Sequence, residues 1–407
     1  MLKCGLLGEK LGHSYSPEIH GFLGDYEYKL YERASEELES FLREGEFDGI
    51  NVTIPYKKTV MPYCAELSDT ARAIGSVNTI VRRPDGTLYG DNTDAFGLSV
   101  LLRSAGIDPA GRKALVLGSG GASVTAVHVL RTMGAGSVTV ISRGGEDNYD
   151  NLSRHADAEL IVNTTPVGMY PNNGAAAVDL TVFPALRGVV DVVYNPGYTA
   201  LLLQAEALGI PHAGGLTMLV AQALRSSEQF QGRKLDPALI ETITARLRRN
   251  MGNIILIGMP GSGKTTVAEE LSTMTGRPVR DADALVVEMA GKSIPEIFAE
   301  SGEDGFRAWE TKALEQLGKA SGTIIATGGG CVTREENYPL LHQNGMIFWL
   351  ERNVDELARE GRPLSLGADL RAMYERRAPR YARFADRRID NNRAPKDAAQ
   401  DIMEVLQ

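Results

Sequence analysis

Short β-branched and aliphatic runs alternate along this chain with stretches of helical spacing, a pattern that predicts βαβ units and parallel sheets. Ile254–Ile257 is one such run; a glycine-rich turn follows, and then TVAEELSTM carries the helical period. GRKALVLGSGGASVTAVHVLRTMGAGSVTVISR is another complete unit, with Leu115–Leu117 as its first strand. The opening hundred or so residues read differently. GHSYSPEIH (Gly12–His20), GINVTIPYKK (Gly49–Lys58), IGSVNTIV (Ile74–Val81) and GDNTDAFG (Gly90–Gly97) are polar motifs in turns rather than periodic apolar stretches. INVTI is strand-like and ends at Pro55-Tyr56-Lys57, so Lys57 projects where a parallel sheet offers its binding crevice. ALIETITARLRRNMG predicts a helix closing the first half, then a short linker, with a seam near Asn250.

Size supports this division. At 407 residues the chain exceeds one ordinary core, so two or three domains are expected. No apolar run is long enough to span a bilayer and the first residues lack a signal-peptide pattern, which leaves a cytoplasmic protein with no membrane role as the expectation. Cys4, Cys64 and Cys331 have neither disulfide-framework nor metal-ligand spacing. A net charge of −9 argues against a nucleic-acid partner.

The sharpest motif is Gly258-x-x-x-x-Gly263-Lys264-Thr265, a Walker A phosphate loop between a strand and a helix. Gly258, Gly261 and Gly263 let backbone N–H groups turn inward around phosphate oxygens where a Cβ would clash. Ser262, Lys264, Thr265 and Thr266 complete the loop: Lys264 charges the β/γ-phosphate site, Thr265 suits Mg²⁺, and the helix start adds its dipole. A nucleoside triphosphate, ATP or GTP, is therefore expected in the second half.

The four polar motifs are individually weak. Ser14 and Ser16 serve equally as caps, Asn78 as a turn residue and Asp94 as an N-cap. In this order, however, they resemble the substrate domain of the shikimate dehydrogenase family, and the resemblance continues from Met1 to about Arg249. The resemblance implies Ser14 and Ser16 on the substrate carboxylate, Thr53 and Asn78 on ring hydroxyls, and Lys57 with Asp94 as the catalytic pair. The chemistry agrees: hydride addition to a ketone creates an alkoxide that needs a proton and a nearby positive charge.

Gly118-Ser119-Gly120-Gly121-Ala122-Ser123, opening a helix after a strand, is a variant of the dinucleotide fingerprint, so Gly118, Gly120, Gly121 and Ala122 are expected at the cofactor. The next strand ends in Ser142-Arg143 instead of an acidic residue. Arg143 matches a 2′-phosphate and favours NADP, the alternative being a solvated surface charge. The family usually has a threonine after that arginine; here stands Gly144, and only the nineteen residues 144–162 precede Asn163-Thr164-Thr165-Pro166. A helix or strand beside the adenine pocket is therefore expected to be trimmed. The family's closing segment, DVVYNPGYTALLLQAEALGIPHAGGLTMLVAQAL, implies Tyr194, Gly215, Met218 and Gln222 beside nicotinamide and substrate, with Thr164 lining the cofactor; Gln222 can also be a satisfied core amide.

After the phosphate loop come Asp281-Ala282-Asp283, then SIPEIFAESGEDGFRAWE and later ATGGGC, and with these motifs Gly252–Gln407 resembles the shikimate kinase family. That resemblance implies Asp281 at Mg²⁺ through water, Asp283 as candidate base at the acceptor hydroxyl, and Arg307 with Gly328-Gly329-Gly330 around shikimate. Glu310, one turn past Arg307, can orient it. Eleven arginines and no lysine lie from Arg352 to Arg393; most read as a solvated face. Three match family positions: Arg362 as a lid residue over ATP, Arg377 on the substrate carboxylate and Arg393 near adenine. Only Glu360 and Gly361 separate Arg359 from Arg362, shorter than the family's lid.

The expectation is thus an α/β protein of three parts: residues 1–98 as substrate domain, 99–249 as Rossmann-like NADP domain with its last helices returning to the first, and 252–407 as P-loop kinase. It would reduce 3-dehydroshikimate with NADPH and phosphorylate shikimate with Mg·ATP, its partners being small molecules without an obligate protein. The rivals are a quinate-using or NAD-preferring dehydrogenase fused to the kinase, and a metabolite-sensing regulator on the same folds. The standing of Lys57, Asp94, Lys264 and Asp283, and the absence of a DNA-binding segment, weigh against the regulator.

Overall fold

A computed structural model describes residues 1–12, 14–357 and 369–406. They form two compact units. One comprises Met1–Gly168, Ala175–Tyr194 and Leu201–Arg246; the other comprises Met169–Gly174, Asn195–Ala200 and Leu247–Gln407.

The first unit holds two sheets. Strands β1 (Lys3–Gly8), β2 (Glu27–Glu32), β3 (Gly49–Val52), β4 (Glu66–Leu67), β5 (Thr79–Arg82) and β6 (Leu88–Asp91) are ordered β2-β1-β3-β5-β6-β4. Strand β1 runs parallel to β2 and β3, while β5 is antiparallel to β3 and β6. The second sheet, β7 (Lys113–Leu117), β8 (Ser137–Ile141), β9 (Leu160–Asn163), β10 (Gly188–Asp191) and β11 (His212–Gly214), is wholly parallel in the order β11-β10-β9-β7-β8. Chain order reverses between β7 and β9, which opens a ligand crevice at their carboxyl ends.

The continuous apolar runs have a plain cause. In β7, Ala114 and Val116 face one core and Leu115 and Leu117 the other, so helices cover both faces of the sheet. Strands β8 and β9 are joined by a loop whose regular structure is a 3-10 turn, Leu152–His155, with no α-helix between them. Tyr149 and Leu152 from that loop pack on the core.

The second unit is one parallel sheet, β12 (Asn253–Ile257), β13 (Val279–Asp281), β14 (Ile324–Ala326), β15 (Gly345–Glu351) and β16 (Arg387–Asp390), ordered β13-β14-β12-β15-β16. Ile254 and Leu256 enter one core, Ile255 and Ile257 the other. The helix Ala238–Met251 leaves Gly252 alone before β12 begins, so the linker read from sequence is one residue long. No helix among the described residues is long and apolar enough to cross a membrane.

Candidate active sites

In the first unit, the loop after β3 and the helix Asp94–Ser104 bring two distant residues together. Lys57 Nζ donates to Asp94 Oδ2 at 2.6 Å, with both side chains partly screened from solvent. The backbone of Lys57 is fixed by Val77 N–H on its carbonyl at 2.7 Å. Asp94 is the first residue of its helix, so its carboxylate also sits at the positive end of the helix dipole. The pair can hold an ammonium group in place and deliver a proton from it.

A buried polar cluster lies behind this pair. Asn78 Oδ1 accepts from Thr93 N–H at 2.7 Å and Thr79 Oγ1 at 3.1 Å, and Asn78 Nδ2 donates to Thr93 Oγ1 at 3.0 Å. Among the described residues one amide hydrogen of Asn78 is left without an acceptor, and most of its bonding capacity fixes the start of the Asp94 helix. Thr93 reaches Gln222 Oε1 at 3.5 Å and Ser226 Oγ at 3.0 Å. Gln222 Nε2 is bonded to Leu219 O at 2.8 Å, within its own helix. Thr79, Thr93 and Ser226 were not anticipated; small hydroxyl residues beside recognised motifs carry no distinguishing pattern.

Ser14 and Ser16 stand at the start of the helix Ser16–Leu23, where the Ser14 hydroxyl accepts from Ser16 N–H at 3.2 Å. Tyr15 between them meets Tyr194 edge-on at 6.2 Å, which joins this turn to the segment after β10. Burial pushes the Tyr194 phenol above its ordinary value, so it stays a hydrogen-bond donor. Thr53 caps β3, its N–H on Leu7 O at 2.9 Å.

At the β7–β9 crevice the glycine turn has the predicted form. Gly118 lies at φ +102°, and a methyl group there would press within 2.9 Å of Thr165 Cγ2. Gly120 and Gly121 face open space at the start of the helix Gly121–Thr132, which continues into Ala122, a fit to a pyrophosphate. Arg143 is exposed beyond β8, next to Ser142, whose N–H is held by Asp147 O at 3.1 Å. The Thr164 hydroxyl and backbone N–H, by contrast, both donate to Leu117 O, at 2.6 and 2.9 Å. Gly215 must be glycine, since a Cβ would fall 2.1 Å from Val192 O, and Met218 follows it one turn later.

The second unit's site starts at the turn after β12. Gly258, Gly261 and Gly263 have φ of +147°, +84° and +88°, angles that favour glycine. Lys264 is buried, its Nζ donating to Gly258 O at 2.9 Å and Met259 O at 3.0 Å. The Ser262 hydroxyl is buried without a partner among the described residues, while Thr265 and Thr266 are exposed on the first turn of the helix. This is a phosphate cradle that fits a nucleoside triphosphate.

Asp281 caps the helix Ala282–Ala290, its Oδ1 accepting from Ala284 N–H at 3.0 Å. Asp283, in the first turn of that helix, and Glu310 converge on Gly328: a Cβ there would lie 2.8 Å from Asp283 Oδ1 and 2.5 Å from Glu310 Oε1. Gly329 presses on Pro260 of the phosphate loop, and Gly330 on the Arg307 guanidinium, so all three glycines allow side chains to close in. Arg307 Nη1 donates to fully buried Glu310 at 2.7 Å, and Nη2 to Glu303 at 3.1 Å. Burial pushes the Glu310 carboxyl up, against the pull of Arg307. Arg377 Nη1 and Tyr381 Oη both donate to Gly329 O, at 3.1 and 2.5 Å. Arg393 is ion-paired with Asp401, so its guanidinium is engaged on the last helix. Arg362 and the short lid lie outside the described residues.

The comparisons with known proteins follow this geometry. Residues 6–80 match the family model for the shikimate dehydrogenase substrate binding domain, and residues 260–407 match that for shikimate kinase. Shikimate dehydrogenase (NADP(+)) of Clostridium perfringens strain SM101 is 36% identical over 266 residues, covering 60% of this chain and 97% of the relative. Among solved structures, shikimate dehydrogenase 1 of Peptoclostridium difficile is similar at TM-score 0.56 and 37% identity, over 61% of this chain and 98% of that one. The Thermus thermophilus shikimate 5-dehydrogenase, solved with NADP(H) and shikimate, gives TM-score 0.55 and 32% identity over 60% and 99%. The first half thus has relatives and solved neighbours and the second matches a family model: the chain belongs to the shikimate dehydrogenase family and carries a shikimate kinase domain behind it, as a bifunctional enzyme of the shikimate pathway.

Proposed function

We propose that the first unit reduces 3-dehydroshikimate to shikimate and that the second phosphorylates shikimate on its 3-hydroxyl, with residues 1–98, 99–249 and 252–407 as the three functional domains. The observation that carries the first reaction is the 2.6 Å Lys57–Asp94 pair at the edge of the substrate sheet. Bound NADPH supplies the hydride. Lys57 donates its proton to the oxygen that becomes the alkoxide, and Asp94 keeps the ammonium aimed at it. Ser14 and Ser16 hold the carboxylate, while Thr53, Asn78, Tyr194 and Gln222 fix the ring. The glycine turn and Ala122 hold the pyrophosphate, and Thr164 offers its carbonyl to the cofactor. Ser142 and Arg143 hold the 2′-phosphate. Gly215 and Met218 border the nicotinamide.

In the second reaction Mg²⁺ and ATP bring the phosphoryl group and part of the charge that neutralises it. Gly261, Ser262, Gly263, Lys264 and Thr266 cradle the phosphates, and Thr265 with Asp281, through water, holds the metal. Asp283 receives the hydroxyl proton. Arg307, Arg377 and the Gly328–Gly330 turn position the acid, so that orientation and charge carry the rate.

The test is one incubation of the full chain with 3-dehydroshikimate, NADPH and Mg·ATP. Lys57→Ala stops NADPH oxidation and leaves phosphorylation of added shikimate; Lys264→Ala does the reverse. Loss of both reactions in either folded variant refutes two independent sites. Relative initial rates with NADP⁺ and NAD⁺, on shikimate and on quinate, test the role given to Arg143.

A further inference from the structure

Arg352 directly follows β15, whose Trp349 pairs with Ile257 at the end of β12, so its backbone stands at the carboxyl edge beside the phosphate loop. Its guanidinium turns toward that loop: a methyl group on Gly263 would lie 3.8 Å from Arg352 Nη1. Asn391, after β16, reaches the same point and donates to Ser262 O. Arg352 has little to hold it there. Nε is buried without a hydrogen-bond partner, and the ion pair it makes among the described residues is with Glu356 Oε2 at 3.9 Å, beyond hydrogen-bond reach. The side chain is 29% exposed, so the charge is half-sheltered without a close counterion among the described residues.

A buried guanidinium donor without an acceptor is costly unless an anion completes it. Here the feature beside it is a loop built to bind anions. Arg393, assigned to the nucleotide from sequence, is by contrast already paired with Asp401. We propose that Arg352 is a further nucleotide-binding residue, which donates to the phosphates of ATP from the β15 side of the loop. This rests on the kinase reading of the site. A planar, permanently charged fork suits a phosphate, and it supplies the charge from the flank opposite the acceptor pocket.

The probe is MgADP, titrated calorimetrically into the full chain, with adenosine as a phosphate-free control. Arg352→Met weakens MgADP binding about tenfold, the low end for a charge-assisted bond at a partly exposed site, and leaves adenosine binding unchanged. Arg352→Lys restores part of the affinity. Glu356→Gln, which removes the ion pair but not the guanidinium, leaves MgADP binding within about twofold. NADPH-dependent reduction by the same molecules is unchanged, and a wild-type melting transition of the second unit reports that each variant is folded there. MgADP binding by Arg352→Met at wild-type strength, or equal weakening toward adenosine, overturns the proposal. If the wild-type chain itself fails to bind MgADP, the kinase reading falls as well, an outcome distinct from the other two.

Discussion

Breaking the Arg307–Glu310 pair is the most demanding test of the second site. Glu310 is fully buried and Arg307 only 5% exposed in its side chain, at 2.7 Å. Arg307→Met keeps the volume but leaves a buried carboxylate without its cation. Removing one partner of such a pair costs about 3–5 kcal/mol. Against a domain stability of about 5–15 kcal/mol this is a large fraction. It lowers the melting temperature of the kinase unit by about 10 °C or more. The sign of its pH dependence follows from burial. Burial already pushes the Glu310 carboxyl above its ordinary value, and loss of Arg307 pushes it further. As pH falls through that raised folded value, the folded state takes up a proton before the unfolded state does. The deficit of Arg307→Met therefore shrinks as pH falls through that raised value toward the ordinary carboxylate range. Arg307→Met with Glu310→Gln removes both charges and recovers most of the melting temperature, yet neither protein regains the wild-type KM for shikimate. The assay is thermal unfolding as a function of pH, with NADPH oxidation by the same chain as control. A single variant that melts with the wild type, or a double variant no more stable than the single one, refutes the reasoning.

Other outcomes follow from the same geometry. His20 is fully buried and stacked on Tyr28 at 4.0 Å, and burial lowers its imidazole to about 3. The unfolded chain takes up this proton near pH 6.5 and the folded chain does not, so His20 costs the first unit about 2 kcal/mol between pH 7 and pH 5; His20→Phe flattens that part of the denaturation profile. Gly330→Ala drives a methyl into the buried Arg307 guanidinium and lowers kinase kcat/KM about a hundredfold while leaving dehydrogenase rates intact. Gly215→Ala, colliding with Val192 O, does the converse, measured as lost NADPH oxidation with phosphorylation retained. Chelating Mg²⁺ stops phosphorylation and leaves reduction unchanged, since only the second site is proposed to hold a metal.

Much of this protein was written locally. Ile254–Ile257 and Leu115–Leu117 announce strands buried on both faces because a parallel sheet covered by helices tolerates no polar alternation. Gly258, Gly261 and Gly263 announce the phosphate loop because their backbone angles exclude most side chains. The nineteen residues 144–162 announced a short crossover by length alone. Partnership between distant side chains was not legible in this way. Lys57 and Asp94, 37 positions apart, were paired only through the family resemblance, and they meet through the arrangement of β3 and the Asp94 helix. Sequence motifs likewise cannot tell that Asn78 is largely spent on Thr93 and Thr79, that Thr164 bonds Leu117, or that Arg393 is claimed by Asp401. Eleven arginines from Arg352 to Arg393 look alike in sequence; strand order decides that Arg352 stands against Gly263. Backbone conformation and burial period are properties of neighbouring residues. The surroundings of a charge depend on which strands the topology makes adjacent, and only the folded chain fixes that.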